Sequence, residues 1–94
     1  MPYVLIQHKI KDYANFEPVF LEDGERRRRS GSKGGKLFRN TDDPANLIAL
    51  FEWDDAEKAK QFADGLELHE AMEWATSGTT STVTVIEDVL EVEA

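Results

Sequence analysis

The chain has 94 residues, enough for a single hydrophobic core, and we expect residues 1–94 to form one domain. A net charge of −8 argues against a nucleic-acid partner, and the lack of cysteine excludes disulfides, thiolate nucleophiles and cysteine-ligated metals. Without a signal-peptide pattern or an apolar run of bilayer length, the sequence predicts a cytoplasmic protein with no membrane partner.

The first predicted strand covers residues 3–10. Val4, Ile6, His8 and Ile10 alternate there with Tyr3, Leu5, Gln7 and Lys9 at the two-residue period of a sheet. His8 therefore shares the apolar side of the strand. It is the best candidate for a general base, because the pKa of imidazole lies near neutrality. The alternative is a half-buried strand histidine that is bonded to a backbone carbonyl.

The first predicted helix begins after Asp12, a residue type that caps helix N-termini. Tyr13, Phe16 and Phe20 then recur at helical spacing, and we expect the helix to continue to about residue 28. Pro18 lies near its start and should disturb only the first turns.

Four arginines at 26–29 precede a glycine-rich stretch at 30–35. Cations suit a helix C-terminus and glycine suits the turn beyond it, so a solvated helix end is the favoured interpretation. The alternative is an anion site formed by the arginines and the glycine-rich loop. No phosphate-loop or dinucleotide motif accompanies them.

The remaining elements are two strands, a helical region and a last strand. Strands are predicted at 35–40 and at 47–53, and the second is apolar enough to be central in a sheet. Asp54 and Glu57 form a capping box before a helix, which continues after Gly65 as a second segment at 66–75. A last strand is predicted at 82–90. The order β-α-β-β-α-β predicts a ferredoxin-like α+β sandwich, with a four-stranded antiparallel sheet and both helices on one face.

The other face of that sheet would be too apolar to remain in water. It would carry Leu5, Gln7, Ile48, Leu50, Glu52, Thr84 and Ile86. A second copy stacked on this face would bury it, so we expect a homodimer.

Three stretches, "HKIKDY", "LFRNTDDP" and "ALFEWDDAEKAKQF", together with this strand order, resemble the dimeric α+β barrel superfamily. The antibiotic-biosynthesis-monooxygenase-like branch is the most similar. The resemblance implies a cavity for a small apolar or aromatic ligand between sheet and helices. Its implied lining is His8, Tyr13, Phe16, Phe51, Trp53, Phe62, Met72 and Trp74. The activities it implies are cofactor-free oxygenation of aromatic polyketides, haem degradation, and isomerisation or lactone formation.

Haem degradation is disfavoured on comparison with the haem-degrading relatives. Trp53 matches their strand tryptophan, but Phe62 stands where they have a helical tryptophan and Met72 where they have the iron-ligating histidine. His69 lies one turn before that position. A metal site would require His8, His69 and a carboxylate to converge, without any recognisable metal-binding motif. We therefore expect neither a cofactor nor a metal.

Two functional hypotheses remain open. In the first, the protein is an enzyme whose pocket orients an aromatic molecule for reaction with oxygen, with His8 as acid or base. In the second, the protein is a non-enzymatic ligand-binding or structural homodimer, in which its own aromatic side chains fill the cavity.

Overall fold

A computed structural model describes residues 1–65 and 81–94. The helical segment predicted at 66–75, with His69, Met72 and Trp74, lies outside the described residues. The elements are β1 Pro2–Lys9, α1 Tyr13–Glu22, α2 Gly24–Ser30, β2 Ser32–Arg39, β3 Asn46–Trp53, α3 Ala56–Asp64 and β4 Ser81–Glu87. Within this part of the chain, no helix is long and apolar enough to cross a lipid bilayer.

The four strands form one antiparallel sheet in the order β2-β3-β1-β4. β1 and β3 are therefore central, and the apolar sequence of β3 predicted its central position. The helices pack on one face of the sheet, where Ala59 of α3 and Phe20 of α1 contact the buried side chains of the central strands. The predicted ferredoxin-like architecture is confirmed.

Alternate residues of the central strands face the helices. Val4, Ile6 and His8 of β1 are at most 4% exposed, and β3 alternates between buried and partly exposed residues along its whole length. Because side chains on a strand point alternately to its two sides, the intervening residues lie on the opposite, open face.

The first helix is interrupted where a continuous one was predicted. Asp12 caps α1 as expected, and its carboxylate accepts a hydrogen bond from the Ala14 amide at 2.9 Å. α1 ends at Glu22, however, and α2 begins at Gly24, a residue type that weakens helices. The Arg27 side chain donates to the Phe20 carbonyl across this break at 2.8 Å. The predicted single helix is therefore wrong.

β2 begins at Ser32, three residues before the predicted start. Gly31 ends α2 with a φ of 119°, a left-handed conformation that glycine adopts without steric cost. The register of β2 against β3 then shifts between Ser32 and Gly34. This bulge lets a glycine-rich stretch that resembles a loop pair with β3.

The capping residue of α3 was misassigned by one position. The Asp55 carboxylate accepts from the Glu57 amide at 2.7 Å, whereas the Asp54 carboxylate lies 3.5 Å from Nζ of Lys58. Neighbouring aspartates fit the capping pattern almost equally well, so the sequence alone does not distinguish them. β4 also ends at Glu87 rather than at residue 90, and residues 88–94 form an exposed tail.

Candidate functional site

His8 lies near the end of the central strand β1, on the helix-facing side of the sheet. Its Cα partners are Leu47 on β3 and Ser81 on β4, and the imidazole ring centroid is 5.0 Å from that of Phe16 on α1. The residue is only 4% exposed. Neither ring nitrogen has a hydrogen-bond partner among the described residues, so the predicted bond to a backbone carbonyl is absent there.

The environment of His8 determines its charge state. Burial lowers the pKa of His8 below its ordinary value of 6.5, because the charged imidazolium loses its hydration. The imidazole is therefore neutral at pH 7, with one nitrogen able to accept a proton and the other to donate one. A buried polar group without a partner costs about 1–3 kcal/mol of stability, and such groups are rare in native proteins.

A row of aromatic rings extends from His8 along α1 to β3. Successive ring centroids are 5.0 Å apart from His8 to Phe16, 5.3 Å from Phe16 to Phe20 and 5.7 Å from Phe20 to Phe51. Tyr13 adjoins the row, with its ring 6.2 Å from Phe16. Three of the predicted pocket residues are thus brought together with His8, and they are joined by Phe20.

Trp53 and Phe62 form a separate pair at the end of β3, with ring centroids 4.8 Å apart. Trp53 is fully buried, and its indole nitrogen donates to the Ser30 carbonyl at 3.0 Å. These contacts join β3, α3 and the end of α2. Met72 and Trp74, the other predicted pocket residues, lie outside the described part of the chain.

A cavity of about 530 Å³ lies next to the aromatic row, between α2 and β2. Its lining is Phe20, Gly24, Arg27, Arg28, Ser32, Lys33, Gly34, Gly35 and Phe51. Of these, the sequence predicted only Phe51 as a pocket residue. The signal for the others was the arginine run followed by glycines, for which a solvated helix end was the favoured interpretation.

A smaller cavity of about 210 Å³ is lined by residues of β1, α3 and β4, including Lys60 and Glu87. His8 lines neither of these two cavities.

Comparison with known proteins gives a fold but no sequence family. The sequence matches no protein-family profile and no curated protein. Among solved structures, an antibiotic biosynthesis monooxygenase is similar at a TM-score of 0.70 and 21% identity, covering 96% of this chain and 100% of that one.

The chain has the antibiotic biosynthesis monooxygenase fold. SnoaB, a cofactor-independent oxygenase from Streptomyces nogalater, matches at a TM-score of 0.74 and 16% identity over 99% of this chain and 96% of that one. A conserved protein from Methanosarcina mazei matches at 0.72 and 14%, over 94% and 92%. The predicted resemblance is confirmed for the fold, which extends over nearly the whole chain.

Proposed function

We propose that the protein is a cofactor-independent oxygenase that holds a small, electron-rich aromatic molecule against His8. The observation that carries this proposal is the buried imidazole, neither of whose nitrogens has a hydrogen-bond partner in residues 1–65 and 81–94. Such a group costs stability without an evident structural return, which is typical of a residue retained for chemistry. The likeness in fold to SnoaB, itself a cofactor-independent oxygenase, supports the reaction class.

The chemistry requires a base and a dry, oriented site. Neutral His8 takes a proton from an acidic C–H group of the substrate, and the resulting carbanion gives its electrons to O₂. A C–O bond forms as a peroxide anion, which takes the proton from the imidazolium to become a hydroperoxide. Neutral His8 then takes the second C–H proton as the O–O bond breaks, and the imidazolium gives this proton to the departing hydroxide, so that a CH₂ group and O₂ become C=O and H₂O. Phe16 beside the ring helps to exclude bulk water.

Oxygen uptake with a panel of phenolic anthrone-type compounds tests this proposal. We expect uptake by the purified protein, and a loss of about 10²–10⁴-fold in kcat/KM for His8→Leu. His69→Gln is the matched control, because it removes the only other histidine, and it should retain uptake. Absence of uptake with every compound, or unchanged uptake by His8→Leu, would contradict the proposal.

A second candidate function is a non-enzymatic ligand-binding or structural homodimer. The observation in its favour is the aromatic row itself, since Phe16 and Phe51 are only 3% and 5% exposed and fill space beside the sheet. NMR of the imidazole in the presence of small aromatic ligands separates the two functions. A His8 pKa that moves with one class of ligand supports the enzyme, and an imidazole unaffected by every ligand supports the second candidate.

The proposal includes a homodimer formed through the open face of the sheet. On that face Phe38 and Ile86 are 46% and 37% exposed, and Leu5, Ile48 and Leu50 are partly exposed beside them. A contiguous apolar surface of this kind is typical of an interface. Val89, Leu90 and Val92, in the exposed tail that follows β4, offer further apolar surface.

Sedimentation equilibrium tests the dimer. Leu50→Lys should raise the dissociation constant by about 10²-fold or more, because it places a charge in an apolar interface. Leu21→Lys is the control, since Leu21 is 65% exposed on α1, away from the sheet, and it should leave association unchanged. A monomeric wild-type protein at micromolar concentration would contradict the dimer.

A further inference from the structure

Positive charge is concentrated in one segment of this acidic protein. Residues 26–41 contain seven of the chain's eleven lysines and arginines and none of its nineteen aspartates and glutamates. This segment supplies six of the nine residues that line the cavity of about 530 Å³ between α2 and β2. An anion that approaches the protein would therefore be attracted to this one region, although the net charge of −8 repels it elsewhere.

The cavity joins cationic side chains to aromatic ones. α2 and β2 supply Arg27, Arg28 and Lys33, while Phe20 and Phe51 close the side that faces the core. At Gly34 a Cβ atom would meet no other atom within 4 Å, so the missing side chain leaves this part of the lining open. A ligand with a flat apolar body and an anionic end would match both kinds of lining.

Arg27 is the central group of this lining. Its guanidinium carbon lies 4.5 Å from the Phe20 ring centroid and 4.6 Å from that of Phe51, and the side chain is partly buried. These contacts fix its position, since cations are attracted to aromatic faces. Burial also lowers the pKa of Arg27, although nearby Asp23 opposes this shift.

The hydrogen-bonding capacity of Arg27 is largely unused. A guanidinium has five N–H donors, and within the described ranges the Arg27 side chain makes a single hydrogen bond, to the Phe20 carbonyl. Its neighbours differ in this respect, because Arg26 and Arg28 form ion pairs with Asp23 and Glu25. Arg27 forms no ion pair in the same part of the chain, which leaves a positive charge available to a ligand.

We propose that this cleft binds a small aromatic carboxylate. The ring packs against Phe20 and Phe51, and the carboxylate accepts two parallel hydrogen bonds from Arg27, with Arg28 and Lys33 at the rim. A carboxylate is favoured over a phosphate because the sequence has no phosphate-loop motif and because the fork of one arginine can bond both oxygens of a carboxylate. The proposal is independent of catalysis at His8, from which Phe16 and Phe20 separate the cleft.

Binding of 2-naphthoate to the full-length protein, measured by calorimetry, tests the proposal. We expect binding, with neutral 2-naphthamide and the phosphate monoester 2-naphthyl phosphate both weaker. Arg27→Gln should weaken the binding of 2-naphthoate by about tenfold or more, the usual effect of losing hydrogen bonds to a charged group. Arg29→Gln removes the same charge from an exposed position of α2 outside the lining, and should change the affinity less than about twofold.

A mapping experiment on the wild-type protein does not depend on whether Arg27→Gln folds. In an NMR titration with 2-naphthoate, the amide signals of Gly34 and Gly35 should shift, and His8→Leu should leave these shifts intact. The proposal is overturned by absence of binding, by shifts elsewhere only, by equal losses in the two arginine variants or by tighter binding of the phosphate.

Discussion

The two faces of the sheet are formed by the same strands, but only one of them is covered by the helices of the same chain. On the helix-facing side, Val4, Leu47 and Ala49 are at most 1% exposed and are covered within the chain. On the open face, the adjacent residues Leu5, Ile48 and Leu50 retain partial exposure. One face is thus a finished core, whereas the other is an apolar surface that association would complete.

The polar residues on the two faces of the sheet also differ. Among the described residues, the helix-facing side contains one buried polar residue, His8, and neither of its nitrogens has a hydrogen-bond partner there. The polar residues of the open face, such as Gln7, keep access to water. The proposed chemistry is thus assigned to the covered face and the proposed association to the open one.

The largest expected effect comes from two leucines on β3 that point to opposite faces. Leu47→Ala should lower the free energy of unfolding by about 2–5 kcal/mol, because it leaves a cavity in a core that is already closed. Leu50→Ala should cost less in dilute protein, and its cost should rise with protein concentration as the dimer forms. Urea denaturation at several concentrations measures both. Equal, concentration-independent losses would remove the distinction between the faces.

The second comparison uses His8 and Gln7, neighbours on β1 that also point to opposite faces. His8→Leu should raise the free energy of unfolding at pH 7 by about 1 kcal/mol, because it removes an unpaired buried polar group. Gln7→Leu should change it by less than about 0.5 kcal/mol. Thermal or urea unfolding provides the measurement. A destabilised His8→Leu protein would indicate that the imidazole makes stabilising contacts.

The pH dependence of stability further tests the difference between His8 and Gln7. Burial lowers the pKa of His8 in the native state, so below pH 6.5 the unfolded chain binds a proton that the native protein does not. His8 therefore contributes a loss of stability as the pH falls below 6.5, of at most about 1.4 kcal/mol per pH unit, until the native pKa is reached. The difference between wild-type and His8→Leu unfolding curves from pH 7.5 to 5 isolates this loss. A difference that is constant over this range would contradict it.

The smallest effect is expected from deleting residues 88–94. The tail is exposed, and the Met1 amino group and Asp88 are joined by an exposed ion pair at 3.8 Å, which contributes little. The stability of dilute protein should change by less than about 1 kcal/mol. Because Val89 and Leu90 are 95% and 80% exposed, the deletion should instead weaken dimerisation if the tail packs on the second copy. Unfolding and sedimentation on the same sample separate the two effects.

Much of the fold follows from local patterns in the sequence. Alternation along residues 3–10 placed His8 on the side with Val4 and Ile6, and the structure has all three buried there. Residues 47–53 were expected in the centre of the sheet because they are nearly all apolar, and β3 is central. The first prediction succeeds because a strand with one buried face needs apolar residues at every second position. The second succeeds because a strand in the middle of a sheet needs few polar residues.

The features that were missed depend on long-range contacts or on choices between similar residues. Continuous helical spacing through residue 28 concealed the break at Asp23, since Arg27 reaches back to Phe20 only in the folded chain. The glycines that start β2 have the composition of a loop, and only pairing with β3 makes them a strand. The helix break and this glycine-rich strand together form the cleft at Arg27. The sequence therefore offered an anion site at the arginines and glycines only as the alternative to a solvated helix end.

The bulge at the start of β2 has a consequence for how copies of the protein meet. β2 is an edge strand, and an unpaired strand edge is a template for aggregation with other chains. The register shift between Ser32 and Gly34 distorts that edge, and Lys33 and Lys36 are exposed along it. Both features oppose the addition of a foreign strand. Strand-to-strand pairing is thereby discouraged at the β2 edge, and continuous β-fibres of this chain should not grow from it.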